Sequence, residues 1–347
     1  MHPRPHGGYM PKQPLPGARL QNKRILVTGA GGFIGSHLVE ELARAGANVK
    51  ALLHYNAQGS IGNLQWIAPE ALGEVKVIHG ELNDGEFVKR LVEDCDVVFH
   101  LGALIAIPYS YLAPRSYVAT NVGGTLNVLE AVRATGSTRL VHTSTSEVYG
   151  SACYVPMDEA HPLQAQSPYA ATKIAADKLV ESYVRSFGIP AVTVRPFNTF
   201  GPRQSARAVI PTVIGQALGR PEAIRLGATA PIRDFTYVSD TVDGFITAAS
   251  SDSVLGGCFN LGTGSSVSIG EVAATILQVM NVQARVECEE QRIRPEGSEV
   301  DRLVSSNQAF REATGWQPRV DLAEGLRRTV AFFQEHPQLL PRGGYVR

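Results

Sequence analysis

A glycine-rich turn follows the first run of β-branched and aliphatic residues in the chain. The run is Arg24–Thr28, and Gly29, Gly32 and Gly35 then stand at GxxGxxG spacing before a helical pattern over residues 36–45. Glycines so placed permit a tight turn and bring backbone amides close to a pyrophosphate at the positive end of a helix. The spacing differs from GxGxxG, and a glycine cluster alone also fits any tight strand-to-helix turn. The strand-turn-helix context nevertheless favours dinucleotide binding by the three glycines, with Phe33 and Ile34 at the helix start.

From Lys23 onward, short apolar runs alternate with longer segments of helical period. This order is typical of a parallel sheet covered by helices on both faces. We therefore predict an α/β fold with a Rossmann-type, doubly wound parallel sheet of about six strands. The predicted strands are Arg24–Thr28, Asn48–Leu53, Val75–His79, Asp96–Leu101, Thr138–Thr143 and Ala191–Arg195.

Glycine and proline become more frequent beyond Phe197, and the predicted elements shorten. We divide the chain into a proline-rich, disordered tail (1–22), a dinucleotide-binding domain with the catalytic residues (23–196) and a smaller α/β, mainly substrate-binding region (197–340). A candidate strand near Phe259–Leu261 could return to the sheet, so the second boundary is not a clean cut.

Charge and composition exclude several classes of protein. The 347 residues carry 32 Lys+Arg and 32 Asp+Glu, so the formal net charge of zero disfavours nucleic-acid binding by bulk electrostatics. The four cysteines are scattered and no predicted helix carries two histidines four residues apart, so we expect no metal and reduced thiols of a cytoplasmic protein. No apolar run approaches the ~20 residues that span a bilayer, so we expect no membrane association.

The end of the second predicted strand bears on the choice between NAD and NADP. A carboxylate there would bind the ribose hydroxyls of NAD and repel a 2′-phosphate. The stretch His54-Tyr55-Asn56 has no carboxylate and no arginine, so the choice stays open, with a slight preference for NADP because His54 could meet a phosphate. The further candidates for cofactor contact are Glu81, Leu82, Leu101, Gly102 and Ala103.

A YxxxK motif lies at the start of a predicted helix. Ser167 suits the N-cap and Pro168 the first helical position, so Tyr169 and Lys173 share one face a turn apart. A nearby ammonium favours the phenolate, which would let Tyr169 act as a base near neutral pH. The motif alone also occurs by chance in ordinary amphipathic helices.

Three motifs come in order along the chain: the glycine turn, the strand end Thr143–Gly150 and YxxxK. In this combination the chain, from about residue 23 to about residue 333, resembles the extended short-chain dehydrogenase/reductases, specifically their nucleotide-sugar epimerases, dehydratases and decarboxylases. The resemblance implies a tightly bound, recycled NAD(P) cofactor, contacted also by Tyr169 and Lys173, and a nucleotide-sugar substrate. It also implies a homodimer through helices near 121–132 and 169–187. Further matching pieces are His100–Ala103, Asn121, Arg195–Asn198, Phe200–Arg203, Arg233–Val238 and Asn260–Gly264.

The resemblance assigns the triad hydroxyl to Thr145 and distinguishes reactions by residues 146 and 147. A 4-epimerase needs no acid after the triad hydroxyl, whereas a 4,6-dehydratase needs a carboxylate such as Glu147 to remove the C5 proton. Ser146 stands where related dehydratases carry aspartate, so either Ser146 or Glu147 would protonate the leaving C6 hydroxyl. Decarboxylases also carry Ser-Glu here, but they place an arginine shortly before the catalytic tyrosine, and residues 161–167 contain none.

A closer resemblance, over 107–111, 164–169 and 201–211, is to the 4,6-dehydratases of legionaminic-type sugar pathways. It implies UDP-N-acetylglucosamine, or its GDP counterpart, as the substrate. A 4-epimerase or a UDP-glucuronate decarboxylase stays as an alternative, and a non-catalytic, cofactor-sensing binding protein is the alternative of another class. Two phosphates in a neutral protein require local cations, ideally arginines. The substrate-binding candidates are Tyr109, Asn198, Arg203, Arg207, Arg233 and Arg294.

Overall fold

A seven-stranded, all-parallel sheet forms the centre of the computed structural model, which describes residues 19–289 and 300–340. The strand order is β11-β6-β5-β4-β1-β2-β3, so the direction of winding reverses between β1 and β4. The strands are β1 (Arg24–Thr28), β2 (Asn48–His54), β3 (Val75–Gly80), β4 (Val97–His100), β5 (Arg139–Thr143), β6 (Ala191–Pro196) and β11 (Cys258–Leu261).

The six predicted strands are confirmed to within one residue at each end, together with the doubly wound Rossmann-type fold. The predicted return of the chain near residue 259 is also confirmed, because β11 pairs with β6 as the seventh strand. Both faces of the sheet are covered, so its strands read as continuous apolar runs that are recognisable in the sequence.

Helices cover both faces of the sheet, and alternate strand residues point to opposite sides. Leu26 packs on the side of α3, α6 and α7, whereas Ile25 and Val27 pack on the side of α1 and α9. The helices are α1 (Phe33–Arg44), α2 (Pro69–Gly73), α3 (Gly85–Val92), α4 (Ile107–Leu112), α5 (Pro114–Tyr117), α6 (Gly124–Thr135), α7 (Pro168–Phe187), α8 (Val209–Leu218), α9 (Val238–Ser250), α10 (Ile269–Met280), α11 (Gln308–Thr314) and α12 (Leu322–Glu335). A π-helical turn, Val118–Gly123, joins α5 to α6.

The C-terminal part builds three two-stranded sheets beside the main sheet. Helices α8, α10 and α12 pack on one another next to them, and α10 begins with a capping box between Ser268 and Glu271. The pairs are β7 (Asn198–Phe200) with β10 (Phe235–Tyr237), β8 (Ala223–Leu226) with β13 (Arg285–Cys288), and β9 (Ile232–Arg233) with β12 (Val267–Ser268).

Most of the predicted N-terminal tail lies outside the described residues. Of residues 19–22, which are described, Leu20 is buried in the main core and 3% exposed, so the packed part of the chain begins before Lys23. In the described ranges, no helix combines the length and the apolar character needed to cross a bilayer. The same ranges contain no cluster of three side chains of the metal-ligating types.

Candidate active site

A cavity of about 470 Å³ opens where the winding of the sheet reverses, beyond the carboxyl ends of β1 and β4. Ligands of open α/β sheets bind at this position. The cavity brings together seven of the residues predicted from the sequence: Gly29, His54, Glu81, Leu82, Gly102, Ala103 and Tyr109.

The glycine turn leaves no room for side chains. A Cβ on Gly35 would overlap the carbonyl oxygen of Gly29, and a Cβ on Gly29, whose φ is +69°, would lie 2.8 Å from the amide nitrogen of Gly102. Helix α1 begins at Phe33, earlier than predicted, and its N-cap, Gly32, offers no side chain to the first amides. The amide of Ser36 makes the first bond of the helix, to Gly32, so the amides of residues 33–35 have no partner within it. This cradle fits a diphosphate, and Gly29, Gly32, Phe33, Ile34 and Gly35 would hold that of a dinucleotide.

The far end of the cavity carries a negative charge beside the end of β2. His54 Nδ1 lies 3.1 Å from a carboxylate oxygen of Glu81, the residue that follows β3. Asn56 uses its side chain locally, since its Oδ1 accepts from the Ser60 amide at 2.8 Å and its Nδ2 donates to the Ser60 carbonyl oxygen at 3.0 Å. Tyr55 is 62% exposed. The predicted contact of His54 with a phosphate therefore competes with Glu81.

A 3₁₀ turn after β5, Ser146–Tyr149, carries the predicted acid. Thr145 caps this turn, because its Oγ1 accepts a hydrogen bond of 3.2 Å from the Glu147 amide. Ser146 is buried, whereas Glu147 is partly exposed. The cap leaves the hydroxyl hydrogen of Thr145 available for a second partner.

Helix α7 positions the tyrosine and the lysine as predicted. Ser167 caps it by accepting from the Ala170 amide at 3.1 Å, and Pro168 is its first residue. Tyr169 and Lys173 are both buried on its inner face, 7% and 4% exposed. The Lys173 ammonium donates to the Thr143 carbonyl oxygen at 2.7 Å, so α7 is tied to the end of β5.

The ionisation of Tyr169 differs from the expectation based on the ammonium of Lys173. Burial raises the pKa of Tyr169, a hydrogen bond with Thr145 lowers it, and the negative charge of Glu147 raises it further. Burial also lowers the pKa of Lys173 to about 8, against the opposing effect of Asp177. In this arrangement Thr145 is therefore the group that favours the phenolate.

Tyr117 connects Tyr169 to the cavity. Its ring lies edge-on to that of Tyr169, with centroids 6.3 Å apart, and 6.1 Å from the ring of Tyr109, which lines the cavity. The Tyr117 hydroxyl donates to the Ala106 carbonyl oxygen at 2.5 Å. Leu104, another lining residue, packs against the same cluster. Tyr117 thus links Tyr169 by packing to Tyr109 and Leu104, two residues that line the cavity.

Asn121 and His100 form buried hydrogen bonds beside the pocket. Asn121, in the π-helical turn, accepts from the Leu104 amide at 2.8 Å and donates to the Thr172 hydroxyl at 3.0 Å. His100 lies between the hydroxyls of Thr28 and Thr125. Because Thr125 donates to the Asn121 carbonyl oxygen, it accepts from His100 Nε2, which assigns the neutral Nε2–H tautomer. Burial lowers the pKa of His100, in agreement with this state.

Arg203, predicted to bind substrate, is not among the residues that line the cavity. Its guanidinium is buried against helix α1, where Nη2 pairs with the Glu40 carboxylate and lies 3.1 Å from His37 Nδ1. His37 Nε2 contacts the Pro202 carbonyl oxygen at 2.9 Å. Arg203 therefore fastens the loop after β7 to the back of α1. The type and position of an arginine in a motif did not reveal this partner, which lies more than 160 residues away in sequence.

The remaining substrate-binding candidates have different surroundings. Arg233 is buried, and its Nη1 donates to the carbonyl oxygens of Ile232 and Asp301 at 3.0 and 3.5 Å. Arg207 is exposed, and its positive charge opposes the burial that raises the pKa of Tyr117. Asn198 is partly buried at the start of β7, and Arg294 lies outside the described residues.

The structure adds residues that the sequence argument passed over. Tyr117 packs against Tyr169, and Asp177 accepts hydrogen bonds from Ser144 and Arg195. Asp177 follows Lys173 by four residues, so the helical period of α7 places both on one face. That spacing is the signal that identifies Asp177 from the sequence; no comparable signal marks Tyr117.

Comparisons with known proteins agree with this geometry. The family model described as GDP-mannose 4,6 dehydratase matches residues 26–329. A UDP-glucose 4-epimerase from Mycolicibacterium smegmatis is 34% identical over 321 residues, which cover 91% of this chain and 100% of the relative. A solved UDP-N-acetylglucosamine 4-epimerase from Methanobrevibacter ruminantium has a TM-score of 0.82 at 28% identity and covers 91% of this chain and 99% of its own. A dTDP-glucose 4,6-dehydratase from Streptomyces venezuelae, solved with NAD bound, has a TM-score of 0.81 at 27% identity and covers 91% and 98%.

Proposed function

The chain belongs to the GDP-mannose 4,6-dehydratase family, among the NAD(P)-dependent nucleotide-sugar dehydratases and epimerases, and on this premise we propose that it is a nucleotide-sugar 4,6-dehydratase. The observation that carries the proposal is the position of Glu147. The turn capped by Thr145 brings its negative charge close enough to Tyr169 to raise the pKa of that hydroxyl. A carboxylate beside the base is what elimination requires and what 4-epimerisation does not.

In the proposed reaction, Tyr169 as phenolate accepts the proton of the C4 hydroxyl, and Thr145 stabilises the phenolate by a hydrogen bond. NAD(P), held by Gly29, Gly32, Phe33, Ile34 and Gly35, would supply the redox chemistry, namely acceptance of hydride from C4 and its return to C6. Once C4 is a ketone the C5 proton is acidic, and Glu147 removes it while the C6 hydroxyl leaves as water. Ser146 or Glu147 protonates that hydroxyl. A proton added to C5 as C6 gains hydride completes the product, a 4-keto-6-deoxy sugar nucleotide, and the cofactor would be regenerated.

UDP-N-acetylglucosamine, or its GDP counterpart, is the proposed substrate. One support is the similarity to a solved UDP-N-acetylglucosamine 4-epimerase. A second concerns C6: between His161 and Ser167, before the catalytic tyrosine, no arginine is present to hold a carboxylate. In that loop Gln166 accepts from the Ser151 amide and Gln164 donates to the Tyr149 carbonyl oxygen. The lack of a cationic side chain in this loop favours a neutral hydroxymethyl group at C6 over a carboxylate.

For the cofactor we propose NAD in preference to NADP. Glu81 pairs with His54 at the end of the pocket where the adenosine ribose would lie, so a 2′-phosphate would meet a carboxylate. No lysine or arginine lies between Lys50 and Lys76 to offset that charge.

A 4-epimerase is the second candidate function. It is favoured by the 34% identical UDP-glucose 4-epimerase and by Ser146, which leaves Glu147 without a neighbouring carboxylic acid. The two candidates differ in the fate of C6, which an epimerase leaves unchanged.

The test is mass spectrometry and NMR of the product formed from UDP-N-acetylglucosamine, or its GDP counterpart, with catalytic NAD in deuterated water. Loss of one water with deuterium at C5 supports the dehydratase. An unchanged mass with inverted C4 identifies an epimerase instead. Glu147→Gln is expected to abolish dehydration, whereas Glu181→Gln, a carboxylate on the exposed side of α7 that pairs with Lys178, serves as the control. Dehydration by Glu147→Gln at the wild-type rate would remove Glu147 from the base role.

We also propose a homodimer through α6 and α7. Three large apolar side chains in this region are more than one third exposed: Val118, Leu126 and Phe187. Light scattering after size exclusion is expected to give twice the chain mass, and Leu126→Glu is expected to give monomers. A monomeric wild type would refute this arrangement.

A further inference from the structure

Beneath the catalytic residues lies a buried polar cluster centred on Asp177. Its carboxylate is 5% exposed and lies one helical turn beyond Lys173. Oδ2 accepts from the Ser144 hydroxyl at 2.8 Å and from Arg195 Nε and Nη2 at 3.1 and 2.9 Å. Oδ1 lies 3.3 Å from His142 Nε2. The reaction proposed above uses none of these contacts directly.

The contact with Ser144 fixes the first end of the segment that bears the catalytic hydroxyl and acid. Ser144 precedes Thr145, and its own amide donates to the Val194 carbonyl oxygen at 2.8 Å. Lys173 reaches Thr143 on the other side of Ser144. Each of the three residues before the 3₁₀ turn is therefore held in place. Thr143 accepts from Lys173 of α7, Ser144 is bonded to α7 and to β6, and Thr145 caps the turn.

Arg195 connects Asp177 to Tyr149, the last residue of the turn. Its Nη1 donates to the Tyr149 hydroxyl at 2.9 Å, and its guanidinium carbon lies 5.0 Å from the centre of the Tyr149 ring. The Tyr149 hydroxyl donates in turn to Asn260 Oδ1, on β11, at 2.7 Å. Glu147 therefore lies in a short turn whose two ends are both connected to one carboxylate.

We propose that Asp177 is a positioning residue that holds the two halves of the active site in register, the turn with Thr145 and Glu147 on one side and helix α7 with Tyr169 and Lys173 on the other. The proposal deepens the proposed function and rests on it for its kinetic test. The alternative role is support of the fold alone, as expected of any buried ion pair.

The negative charge of Asp177 allows a positioning role to be distinguished from support of the fold alone. The groups facing Asp177 are Tyr169 and Lys173 on α7, His142 on β5, Arg195 on β6 and Cys258 on β11. Its negative charge raises the pKa of both Tyr169 and Lys173. In Asp177→Asn both pKa values fall, so both limbs of the pH profile of kcat move to lower pH. Loss of fold support alone lowers the amount of active enzyme and leaves both limbs in place.

The kinetic experiment compares wild type, Asp177→Asn and Ser144→Ala. Because displacement of a reacting group by about 1 Å costs roughly 100-fold in rate, we expect kcat to fall about 10- to 100-fold in Asp177→Asn with KM changed less than about threefold. Ser144→Ala removes one hydrogen bond without leaving a buried charge, and it tests the proposal even if Asp177→Asn does not fold. The control is Asp240→Asn, another buried aspartate, in the first turn of α9, which accepts from the Arg319 and Val320 amides. Wild-type kcat and pH profile in both test variants would overturn the proposal.

A second readout does not depend on substrate. Hydrogen exchange followed by mass spectrometry is expected to be faster in peptides covering 143–149 in Asp177→Asn and Ser144→Ala, and unchanged there in Asp240→Asn. If hydrogen exchange in residues 143–149 is unchanged in both test variants, Asp177 does not hold this segment in place, and the proposal is refuted. If the wild type converts no nucleotide sugar, the proposed function fails while this measurement still decides the structural relationship.

Discussion

The Lys173 ammonium donates a hydrogen bond to the carbonyl oxygen of Thr143, two residues before Thr145, whose hydroxyl is the proposed partner of Tyr169. The lysine thereby joins the helix of the proposed base to the strand end of the proposed acid. Its side chain is buried and lies close to a second charged residue, Asp177. The protonation state of this amine thus affects both halves of the site.

Activity is expected to fall as pH rises above about 8, because burial lowers the pKa of Lys173 to about 8 and the ammonium is lost. The pH profile of kcat checks this, and Lys173→Met is expected to lower kcat by at least about 100-fold. Stability should respond with the opposite sign. Between pH 8 and the ordinary lysine pKa the unfolded chain binds more protons, so the free energy of unfolding of wild type should rise relative to Lys173→Met. A wild-type kcat constant from pH 7 to pH 10 would contradict the assignment.

Arg203→Met is expected to destabilise the fold without weakening substrate binding. The substitution removes one of two arginines from the buried Glu40 carboxylate, while Arg44 remains 2.6 Å away, so we expect a loss smaller than the ~3–5 kcal/mol typical of a fully broken buried pair; the loop after β7 also loses its attachment to α1. Urea unfolding measures the loss, and KM for the nucleotide sugar is expected to stay within about twofold of wild type. Arg207→Met, at an exposed arginine of the same loop, is the matched comparison and should leave stability unchanged. A large increase in KM for Arg203→Met alone would restore its substrate-binding role.

Gly35→Ala is expected to impair cofactor binding and stability together. The added methyl group would overlap the Gly29 carbonyl oxygen, so the turn must shift, at a typical cost of about 1–3 kcal/mol. Thermal unfolding with and without NAD is expected to show a lower Tm and a smaller rise on adding NAD. Gly73→Ala is the control, because a Cβ there meets nothing within 4 Å. An unchanged response to NAD in Gly35→Ala would argue against the cradle.

Glu81→Gln is expected to reduce the preference for NAD over NADP by about three- to tenfold, since it removes a partly exposed carboxylate from the expected position of the 2′-phosphate. Titration of both cofactors by fluorescence gives the two Kd values. Asp84→Asn, an N-cap of α3 nearby, controls for a general change of charge. Wild-type binding of NADP as tight as that of NAD would refute the proposed preference.

The elements that the sequence predicted best are those governed by local rules. Ser167 and Pro168 mark the start of α7 because a hydroxyl cap and a proline at the first position satisfy the helix end within four residues. The strands were recognisable because both faces of the sheet are buried. In the glycine turn the close approach of Gly35 to Gly29 is also short in sequence, so their spacing marks the turn, whereas the approach of Gly29 to Gly102 depends on the pairing of β1 with β4.

Long-range partners could not be read in the same way. Arg203 fits a motif by position, but its role depends on Glu40 and His37, which only the packing of α1 against the loop brings near. The expected depression of the Tyr169 pKa assumed that Lys173 acts alone, whereas burial and Glu147 act in the opposite direction. Cluster geometry of this kind depends on several strands at once.

The pairing of β11 with β6 has a consequence for how the chain becomes a folded protein. The last strand of the dinucleotide-binding sheet is supplied by Cys258–Leu261, about sixty residues after β6 ends, and the chain between builds much of the C-terminal region. The sheet is therefore completed late during synthesis on the ribosome, and until then β6 presents an open edge. The dinucleotide-binding region and the C-terminal region therefore cannot be exchanged independently. A fragment ending at Pro196 would expose the edge of β6. A foreign C-terminal region would have to supply a strand in place of β11.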